Sequence, residues 1–332
     1  MAAGTVACLR RKFRRANSSC RSEPARIKIP SHTVARGLAL SATWEAVEIA
    51  RWEGPFPEAL RLRALEALES GKVLYFPNLA FELAESARFF LSPALSDGRA
   101  KNISLDPASG SLRGTLATDR ERLHLQAMME AFAAAAAKLV SDLFPSYAAN
   151  LERARTSFRP VEIAGRQYSR LKDDTLLHVD AFPSTPTQGR RILRIFSNIN
   201  PSGRPRIWRV GEPFHDFAQK FLPSPGRRVA GIAWLLEAVG ATKGRRSAYD
   251  QLMLRLHNRA KRNFAYQQSA PEVEIAFPAG TSWLCYTDQV VHAAVAGQYA
   301  LEQTFHLDIA SMADPARSPV RELERMTEQQ LR

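Results

Sequence analysis

The sequence predicts an α+β protein with a jelly-roll (cupin-like) core, buttressed by N-terminal helices and carrying a helical insertion. Three observations carry that prediction. Helical patterns dominate the first 150 residues. From Thr156 onward the texture changes to short alternating or apolar runs broken by Pro, Gly and Asn, the mark of many antiparallel strands. A helical stretch at about 214–263 interrupts those runs without ending them. The expected organisation is a basic tail over 1–35, one domain over 36–312 with its jelly roll from 151, and a C-terminal tail over 313–332.

In chain order, Pro57 to Ser70 has helical apolar spacing, and Val73 to Phe76 follows Gly71 as a short apolar strand. Residues 83–93 look helical again. "RERLHLQAMMEAFAAAAAKLVSDLF" is the clearest helix, rich in Ala, Leu and Met, with Thr118 or Asp119 placed to cap it. The strand candidates are "TSFRPVEI", "TLLHVDA", "RRILRIFSNI", "PRIWRV", "PEVEIAFP", "TSWLCYT", "HAAVAG" and "ALEQTFHLDI". Helical patterns fall at Phe214 to Phe221 and from about Val229 to Arg262, the second broken near Gly240 to Gly244. No repeat of fixed period is visible.

Composition narrows the class. With 45% apolar residues in 332 the chain can bury a substantial core. No run reaches the length of a membrane-spanning helix, and the basic N-terminus lacks an apolar segment of the signal-peptide kind. Cys8, Cys20 and Cys285 are odd in number and share no metal-ligand spacing, which fits a reducing compartment; cytoplasm is the expectation. Residues 1–30 carry eight basic side chains against Glu23, and 159–209 carry nine Arg and Lys172 against four acids, out of a net charge of +13. The first concentration reads as a solvated tail, with anionic membrane or nucleic acid as its other readings. The second surrounds the most informative motif, so a site there favours an anion.

That motif is His178-Val179-Asp180. Residues two apart on a strand share a face, so the pair can grip one ion. Chance alone supplies such a pair in about one chain in four of this composition, and His306-Leu307-Asp308 is a second copy. A jelly roll commonly holds its metal with two histidines and one carboxylate, leaving positions open. His292, on a late strand beyond the insertion, completes the first pair; no histidine follows His306 to complete the second. His178, Asp180 and His292 are therefore the candidate catalytic metal ligands. Their donor set suits non-haem Fe(II) and O2 better than structural zinc, which takes four protein ligands. His32, His124, His215 and His257 sit in tail or helical contexts and read as structural.

The blocks "LLHVDAFPSTPTQGRRILRIFSNINPSGRPRIWRVGEPF" and "FPAGTSWLCYTDQVVHAAVAGQYALEQTFHL" closely resemble the Kdo hydroxylases. These are 2-oxoglutarate-dependent Fe(II) dioxygenases acting on 3-deoxy-D-manno-oct-2-ulosonic acid (Kdo) in lipopolysaccharide. The likeness runs from "GKVLYFPNLAF" to about residue 310. It implies a double-stranded β-helix, with Fe(II), 2-oxoglutarate and O2 as reactants at His178, Asp180 and His292. It also implies hydroxylation of Kdo at C3 to give Ko, with succinate and CO2 as co-products and Kdo-containing lipid A as the partner. Peripheral contact with the inner membrane goes with such a substrate; a nucleic acid or an obligate protein partner does not.

The cosubstrate's distal carboxylate needs a cation. Many members of the wider superfamily place an Arg about ten residues after the last His, but here no Arg or Lys lies between His292 and Arg317, and Gln303 occupies that zone. Arg194 is the candidate anchor, with Asn198 on the same strand face and Gln303 as further cosubstrate contacts. Arg159, Arg206 and Trp208 are candidates for the sugar's carboxylates or lipid phosphates, since a guanidinium fork matches both; Arg190 and Arg191 are weaker ones. Two rival readings are a dioxygenase acting on protein or nucleic acid, and a non-catalytic jelly-roll binding protein.

Overall fold

The computed structural model describes residues 43–222 and 246–332. The basic tail with Cys8, Cys20 and His32, and the first half of the second insertion helix, lie outside the described residues.

The first strand, β1 (Trp44–Ala46), leads through α1 (Glu58–Glu69) to β2 (Val73–Phe76). After the short α2 (Glu85–Arg88) come β3 (Ile103–Leu105), β4 (Leu112–Arg113) and the long α3 (Asp119–Leu143). Thr118 and Glu121 form a reciprocal capping box at the start of α3. Its buried stripe, Leu125, Met128, Met129, Phe132, Ala136, Leu139, Val140 and Leu143, recurs at helical spacing.

The strands β5 (Leu151–Arg159), β6 (Arg191–Asn198), β9 (Ser282–Tyr286) and β11 (Ala300–Leu307) build the centre of an eight-stranded sheet of order β1-β2-β9-β6-β11-β5-β3-β4. Among its pairings only β1 with β2 is parallel. A smaller sheet runs β10 (His292–Ala296), β7 (Arg206–Gly211), β8 (Glu272–Phe277). Strand parity divides the large sheet's side chains. Leu193, Ile195, Leu284, Leu301 and Phe305 face outward and share a core with the α3 stripe. Phe196, Trp283 and Cys285 face inward and share a core with Trp208, Val210, Val273, Ile275 and Phe277 of the small sheet. Two facing sheets with helices packed outside are the expected jelly roll. Cys285 is buried and has no disulfide partner among the described residues.

The insertion contributes α4 (Phe214–Phe221), α5 (Ala248–Arg262) and α6 (Phe264–Ser269). These helices bury Phe217, Phe221, Leu252, Leu256 and Tyr266 in a third core that also takes in Leu177 and Val179. Residues 313–332 are not a tail. Their last helix, α7 (Pro319–Thr327), is capped by Ser318 and seals Val320 and Leu323 into that third core. The apolar positions of so short and charged a helix only declare themselves once a partner surface exists. Glu69, buried, fixes the approach: it accepts from Tyr147 Oη at 2.7 Å and from the backbone N–H groups of Ala313 and Asp314 at 2.8 Å.

Candidate metal centre

"TLLHVDA" forms no full strand, yet it behaves as a fourth member of the small sheet beside β10. His178 and His292 sit directly opposite and exchange both backbone hydrogen bonds, N–H to O=C, at 3.0 and 2.9 Å. A directly opposed antiparallel pair projects both side chains to the same face. The rings lie 4.7 Å apart centre to centre. Asp180, two residues on, is pinned by its N–H to Thr287 O at 2.8 Å and brings Oδ1 to 3.7 Å from His178 Nε2. One ligand atom from each of the three residues lies within 4.8 Å of the others.

The surroundings prepare these groups for an ion. His178 Nδ1 lies 2.7 Å from Leu176 O, and His292 Nδ1 lies 2.8 Å from Val290 O. A carbonyl can only accept, so each ring donates through Nδ1–H and presents the Nε2 lone pair to a metal. Burial, followed by the Lys261 charge, holds His178 well below the ordinary histidine range; burial likewise lowers His292. Both are neutral ligands at neutral pH. Burial pushes the Asp180 carboxyl up, but Arg194 first and His292 next outweigh it and hold it at about 2, so it is an anion. Two neutral imidazoles and a carboxylate, all buried, fit a divalent ion with open coordination positions. His306 of the second H-x-D donates no ligand: its Nδ1 lies 3.4 Å from Arg191 O, and Asp308 caps the turn after β11 and pairs with Arg332.

Behind the triad runs a chain of alternating charges on the inward face of the large sheet. Arg194 Nη1 meets Asp180 Oδ2 at 2.9 Å, and Arg194 Nε stands 3.5 Å from Glu302 Oε1. Glu302, 2% exposed, also accepts from Arg159, with Nε at 3.0 Å and Nη2 closer. Nothing in the sequence singles out Glu302, which sits as one polar residue in "ALEQTF". Its neighbour Gln303 points the other way. Gln303 Oε1 accepts from Thr156 Oγ1 at 2.6 Å while its Nε2 donates to Ala154 and Thr304 carbonyls, so it ties β5 to β11 and does not reach the centre. Asn198 shares the Arg194 face but spends its amide on Arg204 O and Phe277 O, closing the β6–β7 loop. Arg190 pairs with Glu152, and Arg191 is buried against Asp288 and over the Tyr286 ring; neither belongs to the site.

Arg206 and Trp208 share the inner face of β7 and are almost fully buried. The Trp208 ring stacks on His292 at 5.1 Å and 20°. Arg206 Nη1 donates to Gly297 O at 3.2 Å, but Arg206 Nε and Trp208 Nε1 have no hydrogen-bond partner among the described residues. Burial, then the Arg159 charge, lowers the Arg206 guanidinium to about 9. Buried donors without acceptors are costly unless a ligand supplies the acceptor. An anion beside the metal fits this place. His257, which reads as structural from the sequence, sits edge-on to His178 with ring centres 5.3 Å apart; its helical context conceals that proximity.

A double-stranded β-helix holding a two-histidine, one-carboxylate site with cationic walls defines a non-haem iron, 2-oxoglutarate-dependent dioxygenase. Within that class, a family model described as 3-deoxy-D-manno-oct-2-ulosonic acid (Kdo) hydroxylase matches residues 51–330, and the chain belongs to that family. Solved structures agree. The Kdo hydroxylase KdoO in complex with alphaketoglutarate and Fe(III) is 45% identical, over 87% of this chain and 97% of that one, with a TM-score of 0.83. Its cobalt(II) complex is 46% identical over 86% and 96%, TM-score 0.83, and its complex with succinate and Fe(III) is 46% identical over 86% and 96%, TM-score 0.82. No curated protein sequence matches the chain.

Proposed function

We propose that this enzyme hydroxylates C3 of a Kdo sugar in Kdo-containing lipid A, giving Ko, with 2-oxoglutarate converted to succinate and CO2. The observation that carries the reading is the metal triad His178, Asp180 and His292 set against buried donors that lack an acceptor, in a chain of this family. Iron and 2-oxoglutarate together supply the oxidising chemistry. The chain's own residues hold and orient. His178, Asp180 and His292 take the iron, and Arg194 fixes Asp180 from behind. Arg206 and Trp208, candidates for the sugar on sequence grounds, suit the cosubstrate better, because Trp208 stacks on His292 and both side chains are buried beside the triad. Arg194 and Arg159 extend the same cationic wall, and Glu302 keeps the two guanidiniums apart from one another. Asn198 and Gln303 act at a distance, by holding strands. The lipid-linked substrate puts the reaction at the cytoplasmic face of the inner membrane, in line with the basic tail; among the described residues no helix is long and apolar enough to cross a membrane.

The direct test incubates the protein with Fe(II), ascorbate, 2-oxoglutarate and Kdo-lipid A. One added oxygen on the Kdo moiety, read by mass spectrometry, is expected; no mass gain together with 2-oxoglutarate turnover on another substrate sinks the assignment. A second prediction tests the pocket. Arg206→Met removes a charge-assisted contact and should raise the KM for 2-oxoglutarate roughly ten- to a hundredfold while iron content is kept. An unchanged KM places the cosubstrate elsewhere.

A further inference from the structure

In Kdo the carboxylate is borne by C2, next to the C3 that the proposed reaction attacks. A C3 presented to the iron therefore brings an anion with it, and a buried anion needs a cation that is close by and not already spent. Arg194 is bound to Asp180 and Glu302, Arg159 to Glu302, and Arg206 is assigned above to the cosubstrate.

Lys261 meets both conditions. It lies in the last turn of α5, one helical turn beyond His257, and is 1% exposed. His257, four residues earlier and so on the same helix face, sits edge-on to His178 with ring centres 5.3 Å apart, which turns this face of α5 toward the metal centre. Its Nζ makes one long hydrogen bond, 3.3 Å to Leu171 O. The nearest carboxylate, Asp174, is 4.0 Å away at Oδ1 and is already taken by Lys101 Nζ at 2.6 Å. An ammonium has three donors, so two of these have no acceptor among the described residues. Holding such a group in the interior is costly, and an arriving anion offsets that cost.

We infer that Lys261 forms the subsite that binds the carboxylate of the Kdo sugar. This rests on the reading of the substrate given above. A lipid A phosphate shares the same recognition chemistry, and a purely structural lysine tying α5 to the turn at Leu171 would look alike in outline. Burial draws the Lys261 ammonium down to about 8, and it remains largely protonated at neutral pH.

The test compares kcat/KM on Kdo-lipid A, on its Kdo methyl ester and on its dephosphorylated form, for wild type, Lys261→Gln and Lys261→Arg. Each ratio is taken within one protein, so a poorly folded fraction cancels. Wild type should prefer the acid over the ester by roughly tenfold or more. In Lys261→Gln most of that preference should vanish through KM, and Lys261→Arg should restore part of it. Lys261→Gln retaining the wild-type preference overturns the subsite. So does a loss that appears only on phosphorylated lipid, which assigns Lys261 to the phosphate. Wild type inactive on all three overturns the functional reading itself, a distinguishable failure.

Discussion

Replacing His178 with Ala is expected to abolish hydroxylation, by about a thousandfold or more, equivalent to roughly 4 kcal/mol of barrier. The reasoning is specific to the position. His178 and His292 form one hydrogen-bonded cross-strand pair, so the backbone fixes both Cβ atoms whatever the side chain. Ala at 178 leaves the strand pairing intact and takes away one of the three proposed ligands. Iron content after purification should fall with activity. A redox-inert probe separates the two effects: cobalt(II) should raise the melting temperature of wild type by a few degrees, through ligand linkage, and should not raise that of His178→Ala. A variant that keeps both iron and activity would remove the triad from the mechanism.

Much of the fold and of the metal centre is legible in the residue pattern alone. Short apolar or alternating runs mark β6, β7, β8, β9 and β11 nearly to the residue: β7 and β8 alternate because one face meets a core, while β6, β9 and β11 are buried on both faces. The pair His178 and Asp180 and its completion by His292 follow from strand parity and chain order. The inward face of Arg194 follows from the same parity, but its partners there, Asp180 and Glu302, do not. What stays hidden depends on register and long-range partners. Gln303 and Glu302 are adjacent on β11, and which of them faces inward is decided by pairing with β6, where Glu302 opposes Phe196 and Gln303 opposes Ile195. Glu302 meets Arg159 across 143 residues of sequence. His257 and Lys261 are four apart, hence on one face of a helix, a signal the sequence does contain. In a helix so rich in Arg and Lys, however, an outward solvated face is the ordinary reading, and only the seating of α5 against 171–178 reverses it.

Glu302→Ala is expected to be the most destabilising substitution in the molecule's inner wall, by about 3–5 kcal/mol. Glu302 is the sole carboxylate in contact with both Arg159 and Arg194 among the described residues, and is 2% exposed. Its removal leaves two buried guanidiniums without the anion they share. The isosteric Glu302→Gln keeps the volume and loses only the charge, which separates electrostatics from cavity formation. The pH dependence gives the sign. Burial pushes the Glu302 carboxyl up, but Arg159 and then Arg194 outweigh it, so its pKa in the folded state lies below the ordinary carboxylate value. Such a group contributes stability that is fully present above its unfolded pKa and is lost as pH falls through its folded pKa. The gap in urea midpoint between wild type and Glu302→Gln should thus be widest near neutrality and should shrink as the solution is acidified below the carboxylate range. A gap that holds constant with pH, or a Gln variant as stable as wild type, would show that Glu302 does not hold the two arginines by its charge. Where the gap behaves as expected, the arginines are shown to be poised against a single internal anion, and the entry of a dicarboxylate should partly rescue Glu302→Gln: added 2-oxoglutarate should then stabilise the variant more than wild type.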